Sequence, residues 1–133
     1  MRPGLKIRGN TMSFLRILAA LAALCLAAFT SLPAQAQSLE WRFKSEHRSV
    51  VSVELYSQDR NHIWPGGDEV YTLNDYSTRS IDLSCRRGEK ICYGAWVRNS
   101  ESSSWGAGRG GKGDCRSCCF TCDGGRTPIL VLD

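Results

Sequence analysis

From residue 37 onward the apolar residues of this chain recur at every second position, the period of a strand with one face buried and the other wet. Leu39, Trp41 and Phe43 alternate with Glu40, Arg42 and Lys44, and Val51, Val53 and Leu55 alternate with Ser52 and Glu54. Further strands are predicted at 70–73, at 80–85 with Ile81, Leu83 and Cys85 on one side, at 91–98 and at 128–132. The run 129–132 has no polar alternation and is expected as a central strand buried on both faces, closing the sheet. Turn signals separate these segments: Glu46-His47-Arg48, Pro65-Gly66-Gly67, Asn74-Asp75, Arg86-Arg87-Gly88-Glu89 and a Ser/Gly tract over 99–113. No heptad or helical period competes. Short punctuated strands predict an all-β fold, a small antiparallel β-sandwich or barrel-like domain.

The N-terminal pattern differs. Residues 15–29 are apolar apart from Arg16, follow a short basic stretch and end near Pro33, and Ala34-Gln35-Ala36 then offers small residues at the two positions a signal peptidase reads. Residues 1–36 are expected to form a helical signal peptide cut after Ala36, with Met12 as a second possible start. A membrane span needs about 20 consecutive apolar residues, and this core is shorter, so no stable anchor is expected after cleavage. Cys25 stands in the middle of the apolar run, not at its end, which disfavours lipid attachment. Export, to the periplasm or beyond, is the implied address.

Removing the leader changes the charge argument. Arg2, Lys6, Arg8 and Arg16 supply four of the 17 basic residues and none of the 13 acids lies before the cut, so residues 37–133 are formally neutral. A nucleic-acid partner normally demands a basic surplus, and none remains.

Residues 37–133 suffice for one domain with one modest core. They carry Cys85, Cys92, Cys115, Cys118, Cys119 and Cys122, an even number that in a short exported chain reads as a disulfide framework. Cys85 and Cys92 flank a Gly-containing turn, so a bridge across a hairpin is one pairing open to them; the sequence does not rank the connectivities of six cysteines, a direct Cys118–Cys119 bond being the least favoured. The C-x-x-C-C-x-x-C cluster also offers four thiolates to zinc. Its two pairs abut without the spacer of a zinc ribbon, and the compartment oxidises thiols, so three disulfides and no metal are expected in the oxidised protein. A redox-active C-x-x-C belongs at the start of a helix in a βαβ setting that this chain lacks.

The residues SCRRGEKICYGAW from Ser84 to Trp96, then Trp105-Gly106, then CRSCCFTC from Cys115 to Cys122, resemble a family of small exported cysteine-rich proteins of Gram-negative bacteria to which no function is assigned. The resemblance implies the exported β-domain reading from about residue 53 onward and transfers no catalytic or binding residue.

Gly106-Ala107-Gly108-Arg109-Gly110-Gly111-Lys112 satisfies a dinucleotide glycine spacing and most of a phosphate-loop pattern. Gly113 stands where magnesium needs Ser or Thr, no strand-to-helix transition surrounds it, and an exported chain meets little ATP. A surface loop is the better reading, and no cofactor is expected. His47 and His62 stand in predicted turns, no Gly-x-Ser-x-Gly elbow occurs, and the acids Glu54, Asp59, Asp68, Glu69 and Asp75 read as solvating, so no catalytic residue is nominated.

The tryptophans divide. Trp41 and Trp96 lie in hydrophobic strands and read as structural, whereas Trp64 and Trp105 stand among turn residues. Loop aromatics on a rigid β scaffold are a common means of contacting sugars, peptides and proteins. Arg60, His62 and Trp64, with Trp105 and Arg109, are therefore the candidate contact residues of a non-enzymatic module binding a protein, peptide or glycan. Two readings compete with it: a structural envelope protein without a pocket, for which both tryptophans are buried, and a small hydrolase, for which two or more of Asp59, His62, Asp68 and Glu69 share a concave site.

Overall fold

The computed structural model describes Gly4 and residues 36–100 and 102–133; the expected signal peptide, Gly4 and Ala36 apart, lies outside the described residues. The described residues contain nine strands and no helix: β1 (Ala36–Ser45), β2 (Val51–Ser57), β3 (Ile63–Trp64), β4 (Tyr71–Leu73), β5 (Thr78–Arg86), β6 (Lys90–Val97), β7 (Ser104–Gly106), β8 (Cys119–Thr121) and β9 (Arg126–Leu132). The fold is all-β, as the alternating pattern predicts.

Two sheets form. Strand β1 is the centre of a three-stranded sheet, antiparallel to β5 and parallel to β9. In the second, antiparallel sheet β2 pairs with β6, β3 and β4 share the far edge of β2 end to end, and β7 and β8 share the far edge of β6. The β2–β6 register sets Val51, Val53 and Leu55 opposite Val97, Ala95 and Tyr93, which puts one apolar face on the pair. Trp41 and Phe43, fully buried on the inner face of β1, meet it. Trp41 packs edge-on against Phe120 with ring centroids 5.3 Å apart, and Phe43 packs edge-on against Tyr93 at 5.4 Å. Edge-to-face contact of this kind adds direction to a hydrophobic interface that area alone leaves undirected.

Period-two alternation sets the face to which each strand cysteine points, and the packing of the sheets decides its partner. Cys85 points inward with Ile81 and Leu83 and joins Cys122, linking the two sheets through the core. Cys92 pairs with Cys119 across β6 and β8, directly opposite in register, and Cys115 pairs with Cys118 just ahead of β8. The Cys85–Cys92 hairpin bridge, one of the pairings the sequence leaves open, is not formed. Strands β5 and β6 belong to different sheets, so the turn between them crosses the sandwich, and the two cysteines face opposite sides of the second sheet.

Strand β9 also departs from expectation. Among the described residues it is an edge strand paired with β1, and its side chains alternate between the two faces of the sheet: Leu132 is buried, while Ile129 and Val131, on the face of Arg42 and Lys44, are 46% and 48% exposed.

The glycine-rich tract covers the outer face of the second sheet. The Ala107 N–H donates to the Tyr93 carbonyl at 2.8 Å and the Tyr93 N–H to the Cys118 carbonyl at 2.9 Å, tying both ends of the loop to β6. Gly94 is required beneath it: a Cβ there would run into the backbone carbonyl of Gly108 and the Tyr56 ring. Gly111, at φ +67°, lies against the same ring. The Tyr56 hydroxyl donates to Glu54 at 2.5 Å and accepts the Gly110 N–H at 3.0 Å. Burial, reinforced by the Glu54 carboxylate, raises the phenol above its ordinary value, so it stays a donor at neutral pH.

Candidate functional site

The far edge of β2 begins as a tight connection. Ser57 N–H donates to the His62 carbonyl at 3.0 Å, and its hydroxyl accepts from the N–H groups of Asp59 and Arg60, both at 3.2 Å, so residues 58–62 turn back into β3. Strand β3 sets Trp64 opposite Leu55, on the inner face, and Ile63 opposite Tyr56, on the outer. Trp64 is consequently buried, at 8% exposure, and joins the core. Arg60 lies over its ring, 5.4 Å from guanidinium carbon to centroid, and His62 packs edge-on at 4.4 Å.

Glu89 fixes Arg60 from below. Its buried carboxylate takes the Arg60 Nε–H at 2.5 Å, the Ser57 hydroxyl at 2.6 Å and the Arg86 N–H at 2.8 Å. Burial opposes ionisation, but the Arg60 guanidinium, the Arg86 N–H and the Ser57 hydroxyl outweigh it and hold the carboxyl at about 2. The turn between β5 and β6 is thereby clamped to the loop between β2 and β3.

Beside this loop, and sharing His62 with the cluster around Trp64, lies a groove of about 390 Å³, lined by Glu54, Asn61, His62, Ile63, Pro65 and Asp68, with Gly66 and Gly67 in its wall. The Glu69 N–H closes the turn onto the Gly66 carbonyl at 3.1 Å, and Gly66, Gly67 and Asp68 all adopt positive φ. The groove offers imidazole, amide and carboxylate groups beside an apolar contact, Ile63, that is 41% exposed. His62 and Asp68 share it; Asp59 instead accepts the Lys90 N–H at 2.7 Å, and the Glu54 carboxylate holds Tyr56.

Arg60, His62 and Trp64 thus come together. Trp105 and Arg109 do not join them. Trp105 sits on β7, at the opposite edge of the second sheet, half-buried with its Nε1–H on the Asp133 carbonyl at 2.9 Å and the His47 ring 5.8 Å away. Arg109 lies 5.8 Å over Trp96, where the two residues, with Ser100 and Ser104, line a second hollow of about 280 Å³. Both tryptophans read as loop residues in the sequence belong to short edge strands, and a single face carrying all five candidates is not formed. Sequence reasoning passed over Glu89, Tyr56 and Gly94. The acid of Arg86-Arg87-Gly88-Glu89 reads as one more solvated turn residue, and nothing local marks it as the anchor of Arg60.

The sulfurs form a separate group on the outer face of the second sheet. The Sγ atoms of Cys92, Cys118 and Cys119 all lie within 4.8 Å of one another, each already bonded in a disulfide. Three disulfides in one small β-domain belong to an oxidising, exported setting. No protein-family model, curated protein or solved structure matches this chain.

Proposed function

We propose that residues 37–133 are an exported, non-enzymatic binding module, released from the leader at 1–36, and that its contact surface is the groove beside β3. The observation that carries this reading is the bracing of one groove wall: His62 and the Glu89-bound Arg60 both pack against the buried Trp64, and His62 lines the groove with Asn61, Ile63 and Asp68. Recognition elements held by a stiff scaffold lose little entropy on binding. Glycan sites commonly present an aromatic face, and Trp64 presents little of its own. Mixed polar groups around an exposed Ile63 and Pro65 suit a peptide or protein segment better.

Selection of displayed peptides on the oxidised domain tests the reading. Binders should perturb the amide resonances of residues 61–68, and Ile63→Asp should abolish their binding while leaving the melting temperature within a few degrees of the parent. Binders that map elsewhere, or that tolerate Ile63→Asp, overturn it. A hydrolase reading draws on His62 and Asp68 sharing the groove; cleavage of the selected peptides that is lost in His62→Ala would favour it.

A further inference from the structure

Four sulfurs crowd the outer face of the second sheet, and their spacing has a chemical meaning. The Sγ atoms of Cys118 and Cys119 are 3.8 Å apart, those of Cys115 and Cys119 are 3.9 Å apart, and Cys92 completes the group through its bond to Cys119. A zinc ion bound by four thiolates at about 2.3 Å holds its sulfurs at tetrahedral corners about 3.8 Å from one another. Two edges of such a tetrahedron already have that length. Cys92, Cys118 and Cys119 already lie within 4.8 Å of one another, and Cys115, bonded to Cys118 and 3.9 Å from Cys119, is the corner that has to move toward Cys92 once the bridges part.

Access separates this group from the third bridge. Cys115 and Cys119 are half-buried, so each outer disulfide shows one sulfur-bearing residue to solvent, whereas Cys85 and Cys122 are 4% and 0% exposed. Thiolate attack requires reach to a sulfur. A reductant therefore opens the outer pair first, and Cys85–Cys122 still joins the sheets when it has done so.

We propose that reduction by a dithiol converts the outer bridges into a four-thiolate zinc site made of Cys92, Cys115, Cys118 and Cys119. Each bridge takes two electrons and two protons from one dithiol, which leaves as its disulfide, and zinc then displaces four protons from the four thiols. The ligand set is a product of the fold. The local motif C-x-x-C-C-x-x-C names Cys115, Cys118, Cys119 and Cys122, but Cys122 points between the sheets to Cys85, and Cys92 of β6 stands in its place. The inference is independent of the groove and of any peptide ligand.

The test reduces the oxidised chain with a limiting dithiol under anaerobic conditions, adds zinc or cobalt(II), removes free metal and dithiol, and maps the alkylation of each cysteine. One zinc per chain in the native mass spectrum is expected, with the thiolate-to-cobalt absorption of a four-sulfur site in the cobalt form. Zinc should protect Cys92, Cys115, Cys118 and Cys119 from alkylation together, and Cys92→Ser should lose the four-sulfur absorption. Three results overturn the proposal: no metal retained, Cys92 alkylated equally fast with and without zinc, or Cys92→Ser binding metal as the parent does. Because the protection measurement uses the parent chain, misfolding of the variant leaves it intact.

Discussion

Trp64 and Trp105 occupy matching places, each on a very short strand at an outer edge of the second sheet, yet the two edges are built differently. At the Trp64 edge the indole is buried, with Arg60 over its ring and His62 edge-on to it, and Arg60 is paired with the buried Glu89 carboxylate. At the Trp105 edge the indole is half-buried, held by one hydrogen bond to the Asp133 carbonyl and by contact with His47. The first edge is braced from within the fold and the second is latched to Asp133, just beyond β9. The groove of about 390 Å³ lies beside the braced edge, while Ser104 of the other edge lines the smaller hollow of about 280 Å³.

Removing the indole should break this contrast most sharply. Trp64→Ala should cost about 3–5 kcal/mol of folding stability, the usual range for a buried tryptophan, whereas Trp105→Ala should cost visibly less. Thermal melts of the two variants decide it, and equal losses would erase the distinction between the edges.

The brace itself comes next. Glu89→Ala leaves Arg60 without its carboxylate and the Arg86 N–H and Ser57 hydroxyl without their acceptor, and should cost about 3 kcal/mol, near the low end for a broken buried pair because Arg60 keeps some contact with water. Denaturant unfolding measures it. Signals from His62 and Trp64 in NMR should broaden or shift in the same variant, since Arg60 no longer holds the stack.

A smaller effect appears on acidification. The Glu89 carboxyl falls from its ordinary 4.5 to about 2 in the folded chain, so its ionised form stabilises the fold above the ordinary value, and that contribution is lost as pH drops through the folded one. Stability of the parent should therefore decline between roughly pH 4.5 and 2, and Glu89→Gln should flatten that part of the curve. An unchanged slope in the variant would show that other carboxyls govern the acid limb. The least perturbing change is Trp105→Phe, which keeps an apolar ring and gives up the hydrogen bond to Asp133; about 1 kcal/mol is expected from the melt.

Much of the fold is legible in the chain because a strand's side chains must alternate. Leu39, Trp41 and Phe43, or Val51, Val53 and Leu55, have only one way to leave water together, and that fixes both the element and its buried face. The same rule set Cys85 inward with Ile81 and Leu83. What alternation does not carry is which sheet a strand joins. The turn of Arg86-Arg87-Gly88-Glu89 looks like a hairpin, yet β5 and β6 separate there, and the bridge partners of Cys85 and Cys92 change accordingly. The cover over a sheet face is likewise invisible locally: 129–132 reads as doubly buried because hydrophobicity does not report what lies over a face, and Ile129 and Val131, opposite Arg42 and Lys44 in register, point to the outer one.

The sequence by itself determined an all-β domain stapled by cysteines, its main strands and most of the inward-facing residues, since local periodicity and transfer from water act on each segment separately. Tertiary structure alone decided the pairing of the cysteines, the burial of Trp64, the partnership of Arg60 with Glu89 and the separation of Trp105 and Arg109 from the groove. Each of those depends on residues distant in the chain meeting across a sheet or between sheets, and the strand order that brings them together is a property of the whole packed core.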